Sequence, residues 1–327
     1  MEKYAPTIKD LASRDVISRA IYMEIMAGRG VDGKNYVHLD VTPETVNKYF
    51  AEAGESRRIT PHCIEEKLAE TVDLGRTYLG IDPVREPIPI QPTAHYGMGG
   101  IPTDNDGCVL LDTKKKQLPG LYAAGECACV SVHGANRLGT NSLTDLVVFG
   151  RRAGKHMAEY CQEVPLLPLP DNPAGEVMAE FDRIRQSKGG VKPYTLRTDM
   201  QKTMTANVGV FRTEATMQEA LTLLQELRQA YANISIEDQG QKFNSDLIEA
   251  WELGCLLELA EVTAVSGLAR TESRGGHARD DYPERDDANW LKHTLCFREG
   301  DARKGFTYRL EYKPVVMGRF EPQKRVY

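Results

Sequence analysis

The run PLLPLPDNP puts prolines at 165, 168, 170 and 173, and each one removes an amide donor and fixes φ, so neither a helix nor a central strand can continue through it. The run reads as a stiff linker, and the blocks on either side must bury cores of their own. With 327 residues, 41% of them hydrophobic and 27% charged, the chain can supply two or three such cores.

Ahead of the linker, Val16, Ile17, Ala20, Ile21 and Ile25 fall on one stripe of a helix expected over 13–27, with Arg14 in its first turn and Gly28-Arg29-Gly30 as its stop. Residues to about 85 read as a polar stretch with scattered turns. EPIPIQPTAHY then reads as an extended segment that delivers His95 into the turn at Gly97, Gly99 and Gly100. Two short apolar runs, 107–112 and 120–124, flank the solvated loop TKKKQLP as a hairpin. After a loop rich in glycine and asparagine, Asn141-Ser142 open a helix whose Leu143, Leu146, Val147, Ala153 and Met157 read as a buried face.

Beyond the linker, Met217, Ala220, Leu221, Leu224, Leu227 and Tyr231 mark one amphipathic helix, and Ile248, Trp251, Cys255, Leu259 and Val262 a second. These predict a small antiparallel bundle. The alternation Phe306, Tyr308, Leu310, Tyr312 predicts a strand in a short terminal domain.

A formal net charge of -6 argues against a dedicated nucleic-acid binder. The seven cysteines form no CxxC pair, which fits a reducing compartment. Cys127 and Cys129 read as small core residues, and no metal site is expected. The start, MEKYAPTIKD, has no apolar h-region, and no run of about 18 apolar residues occurs, so neither a signal peptide nor a membrane span is indicated.

The chemistry concentrates in GLYAAGECACVSVHGANRLGTNSLTDLVVFGRRAG, where a strand runs into Gly125-Glu126, then a loop, then a helix. The first amides of that helix can receive an anion or a dipolar ring. A reduced flavin, negative at its pyrimidine end, suits such a terminus. Among nearby groups His95 is the natural proton acceptor, because histidine titrates near neutrality and arginine stays protonated.

This segment closely resembles the flavin- and substrate-binding signature of the succinate dehydrogenase and fumarate reductase flavoproteins. YAPTIKDLASRDVISRA, QPTAHYGMGGIPT and ESRGGHARDDYPERDDANWLKHT resemble the same family in the same order. The resemblance implies an α+β multidomain fold: the remainder of a capping domain over 1–90, the carboxy-terminal part of an FAD-binding domain over 91–164, a helical domain over 165–280 and a small domain over 281–327. The family's amino-terminal half, with its GxGxxG fingerprint and flavin-linked histidine, is expected to lie outside this sequence. The chain then reads as a fragment, a truncated gene product or one piece of a split protein.

The family's chemistry implies FAD as cofactor and succinate and fumarate as substrates, with electrons passed to an iron–sulfur subunit and, through it, to membrane anchor subunits. The resemblance implies a peripheral location, on the cytoplasmic face of the inner membrane or the matrix side of the mitochondrial one. Residue by residue, Arg14 matches the proton-transfer arginine, where bottom-up reasoning favours His95. His95 and Arg137 match substrate-carboxylate ligands, and Arg137 could grip a carboxylate with both prongs of its fork. Glu126, Ser142 and Leu143 match flavin contacts, with Tyr96 beside the ring. His277, Arg274 and Arg279 belong to a matched motif in which a structural polar network is at least as expected as catalysis. An L-aspartate oxidase-like flavoenzyme shares the HGANRL signature, and a catalytically inactive fragment is the alternative outside enzymes.

Overall fold

The computed structural model describes residues 1–95, 97–166, 168–301, 305–319 and 321–323, in two compact units divided between His95 and Tyr96. In the first unit, α1 (Arg14–Met26) starts where Ser13 leaves the helical region. The buried Asp15 accepts from Ser13 and, one turn on, from Arg19 at 3.1 Å. Strand β1 (Val37–Leu39) leads to α2 (Pro43–Glu52), whose start has both a first-position proline and a side-chain cap from Thr42. Asp40 fixes that cap through Thr42 N and Thr45 Oγ1. Helices α3 (Pro61–Lys67) and α4 (Ala69–Leu74) bring Ile64 and Val72 onto Val84, and β2 (Ile88–Ile90) pairs antiparallel with β1. These three helices are absent from the sequence reading, because their apolar faces are only one or two residues wide.

The spelling GxGxxG does occur here, at Gly28, Gly30 and Gly33, against the expectation that the sequence lacks it. It follows α1 and leads toward β1, the reverse of the strand-to-helix order that would aim amides at a pyrophosphate.

In the second unit, β3 (Ile101–Pro102) pairs parallel with β6 (Ala128–Cys129), and β4 (Cys108–Leu110) pairs antiparallel with β5 (Gln117–Tyr122). Helix α5 (Asn141–Glu163) lies along the hairpin. Ala153 is buried beside Gly107, Leu146 reaches Gly125, and His156 Nδ1 meets Tyr122 Oη at 2.7 Å. The buried face expected for α5 is corrected here: Leu143, Leu146, Val147 and Met157 are exposed, because among the described residues the hairpin covers only the Ala153 side. Cys127 is likewise exposed, on the turn after β5, and is no core residue.

After the proline run, α6 (Gly175–Gln186), α7 (Pro193–Asn207), α8 (Glu214–Tyr231) and α9 (Ser245–Ala269) enclose the largest core, with Ile184, Met200, Met217, Leu224, Leu253 and Leu257 at its centre. A Thr213 capping box starts α8 and Asn244 caps α9 at 2.7 Å. The predicted stripe on α9 is one residue out of phase. Ile248, Trp251, Cys255 and Leu259 face water, while Leu247, Ala250, Leu253, Leu257, Ala260 and Ala264 are buried. α9 is apolar on both faces, and the alanine-bearing one lets the neighbouring helices come close.

A short helix α10 (Asp287–Trp290) precedes the ribbon β7 (Lys292–Asp301) and β8 (Gly305–Pro314), paired from Lys292–Pro314 to Asp301–Gly305. Tyr308 Oη donates to the buried Glu261 of α9 at 2.5 Å and ties the ribbon to the bundle.

Candidate active site

Gly125 adopts φ +84°, and a Cβ there would sit 2.6 Å from Leu146 Cδ2. Only glycine combines that backbone with that approach, so the turn bearing the exposed Glu126 rests directly on the first turns of α5. Ala128 N closes the turn onto Gly125 O at 3.0 Å, and Cys127 O accepts from Ile101 N at 2.9 Å. Gly100 is thereby brought against the backbone of Cys127, the residue after Glu126, where a Cβ would sit 2.5 Å from the Cys127 carbonyl oxygen.

The loop from Ser131 to Thr140 crosses in front of α5. Ser131 Oγ lies 2.7 Å from His293 Nε2, His133 Nε2 lies 3.0 Å from Asp145 Oδ2, and Ala135 O accepts from Gly276 N at 2.9 Å. Arg137 follows, half-buried. Thr140, at φ +71°, turns the chain into α5, where Leu143 N donates to Thr140 O at 3.0 Å. Ser142 is buried and Leu143 is 64% exposed. The second unit thus brings together Glu126, Arg137, Ser142 and Leu143 around the amino terminus of a 23-residue helix, whose dipole favours negative charge there. Arg14, exposed at the first position of α1, and His95, exposed at the end of the segment after β2, belong to the first unit. Tyr96 lies outside the described residues.

Behind the loop stands a polar network. Glu272, fully buried, accepts from Arg270 at 2.5 Å, from both prongs of Arg274 at 2.8 and 2.9 Å, and from Asp286 N at 2.9 Å. Arg279, 2% exposed, forks onto Asp281 at 2.7 Å and donates to the carbonyl of Leu268 at 3.0 Å, so a buried cation satisfies the last carbonyls of α9. The Arg279 side chain holds Asp281 down to about 2. His293 is held below the usual histidine range by burial and by the nearby Lys313 and Arg270 charges. Asp145 and the Gly275–Gly276 pair escaped the sequence reading; the signal available was two adjacent glycines inside a run of charged residues. No group of three His, Cys, Asp or Glu side chains among the described residues could hold a metal ion.

Residues 2–143 match the family model described as an FAD binding domain, and residues 197–327 that of the fumarate reductase flavoprotein carboxy terminus. The succinate dehydrogenase flavoprotein subunit of Rickettsia bellii is 42% identical over all of this chain and 54% of its own length. That of Coxiella burnetii is 44% identical over 99% of this chain and 53% of its own length. The chain belongs to the succinate dehydrogenase and fumarate reductase flavoprotein family. An E. coli quinol fumarate reductase structure superposes with a TM-score of 0.81 at 38% identity, over 97% of this chain and 51% of the other. Against adenylylsulfate reductase of Archaeoglobus fulgidus, at 22% identity and a TM-score of 0.59, the likeness is one of fold alone. The chain spans about half the length of the curated relatives it matches in this flavoprotein family.

Proposed function

We propose that this chain supplies the substrate side and the flavin-facing side of an FAD-dependent enzyme that interconverts succinate and fumarate. The observation that carries the reading is the cluster of Arg137, Glu126, Ser142 and Leu143 at the start of α5, set within a sequence 42% identical to a succinate dehydrogenase flavoprotein subunit. The residues fit the group. The exposed Leu143 offers apolar surface for a flat ring at the positive end of the α5 dipole, and Gly97 and Gly99 leave open space where side chains would stand. FAD, when bound, accepts or returns the hydride.

Arg137 grips one carboxylate through its planar fork, and His95 holds the other. Arg14 is the residue proposed to move the proton on the neighbouring carbon. Electrons leave toward an iron–sulfur subunit and membrane anchors, and the chain sits peripherally, on the cytoplasmic or matrix side. Among the described residues no helix is long and apolar enough to cross a membrane. The domain limits 1–90, 91–164, 165–280 and 281–327 are part of the same proposal. The test is turnover by the assembled, FAD-loaded enzyme. Succinate should reduce an artificial electron acceptor and fumarate should reoxidise a reduced dye; turnover of L-aspartate in place of both would overturn the reading.

A further inference from the structure

The loop that carries Arg137 is held at every second residue before it. Ser131 meets His293, His133 meets Asp145, and Ala135 meets Gly276, with polar atoms 2.7, 3.0 and 2.9 Å apart. The segment is bent rather than extended, with Ser131 at φ +78° and Gly134 at φ +61°, so these three contacts hold a loop that has no ladder of its own. Arg137 follows two residues after Ala135. Two of the three partners come from the segment 270–293, more than 130 residues further along the chain.

The partner closest to Arg137 is itself rigid. Arg274 and His277 exchange backbone hydrogen bonds at 2.8 and 3.0 Å across the Gly275–Gly276 turn. Arg274 is fixed by the buried Glu272 and by Asp287 at 2.7 Å. Gly275 sits at φ +58°, and a Cβ there would overlap the carbonyl of Ala135. The two backbones therefore meet without any side chain between them.

We propose that the Gly275–Gly276 turn is the positioning element for Arg137: it seats the Ala135 carbonyl, and through it sets where the guanidinium meets a substrate carboxylate. The inference rests on the reading of Arg137 as a carboxylate ligand and gives that ligand its support. A displacement of about 1 Å in such a ligand can cost about a hundredfold in rate, so an unsupported loop would be a poor carrier for it. The buried Glu272–Arg274 pair fixes the turn, and the turn fixes the loop.

The test uses Gly275→Ala in the assembled, FAD-loaded enzyme with two readouts. One is amide hydrogen exchange over 132–139, with α8 as an internal control. The other is the Kd for malonate, a dicarboxylate that lacks the two-carbon bridge the reaction needs, measured in the parent and in an Arg137→Lys background. Expected are faster exchange over 132–139 with α8 unchanged, and malonate affinity at least ~10-fold weaker. In the Arg137→Lys background that loss should shrink to under ~3-fold, because a residue acting through Arg137 has little left to act on. Should Gly275→Ala not fold, His293→Ala removes another support without filling space, and the same pattern is expected at about 2- to 5-fold. Unchanged exchange over 132–139, or an equal malonate loss in both backgrounds, overturns the proposal. If Arg137→Lys alone leaves malonate binding at the parental level, the proposal falls through its ligand, and the exchange data still tell that failure apart from a failure of the support.

Discussion

Arg212 Nη1 lies 3.0 Å from His277 Nδ1, and because a guanidinium can only donate, Nδ1 is the acceptor and the ring is the neutral Nε2–H form. That Nε2–H donates to the carbonyl of Arg270 at 3.1 Å. Burial, then the charges of Arg212, Arg270 and Arg279, push His277 down to about 4.

The folded His277 therefore takes up its proton later than the unfolded one. Below about 6.5 the unfolded state binds more protons, so stability is fully present above that pH and is lost as pH falls toward 4. The loss attributable to this one ring is at most about 3 kcal/mol. Denaturant midpoints between pH 7 and 4 should show the decline, and His277→Gln should flatten it. A parental slope in the variant would assign the effect elsewhere.

Glu272 accepts from two arginines and one amide while fully buried. Glu272→Gln keeps the shape and removes the charge, leaving Arg270 and Arg274 half-compensated, with an expected cost of about 3 kcal/mol. A denaturation curve decides it; a loss below about 1 kcal/mol would mean that the arginines find water instead.

Gly125→Ala meets both a left-handed backbone and Leu146 Cδ2 at 2.6 Å. We expect a loss of about 2 to 4 kcal/mol from strain and overlap together. Leu146→Ala in the same chain should return part of it by removing the obstructing methyl. Strict additivity of the two substitutions would show that they do not act on one contact.

The roles proposed for Arg14 and His95 differ in the kinetic constant each would govern. In the assembled enzyme Arg14→Gln should lower kcat by orders of magnitude with FAD retained, because it removes a proton-transfer function. His95→Ala should act largely on KM, with some loss of kcat from a misplaced carbon. A near-normal kcat for the Arg14 variant, beside a His95 variant with kcat abolished and KM unchanged, would reverse the roles.

Elements with a wide, regular pattern and clear stops were legible in the sequence: α1 between Ser13 and Gly28, α8 from its apolar stripe, the β4–β5 hairpin about its lysine loop. The faces of α5 and α9 were not. Both helices carry apolar residues on more than one side, and which side is buried depends on neighbours rather than on periodicity. Motif spelling proposes Arg137 as a site residue but gives no sign of the glycine pair more than 130 residues away that meets its loop. Such pairings have no local signature.

The two units do not share resistance equally. The first rests on Ile64, Val72 and Val84, while α6–α9 close over a core several times that size. Local opening is governed by how much apolar surface must be exposed. A protease working under native conditions should thus cut within residues 1–95 long before it nicks the four-helix block. Arg14, the residue proposed for proton transfer, then lies on the part of the chain that is digested first, and the proposed activity would be lost from a preparation whose gel still showed a stable band.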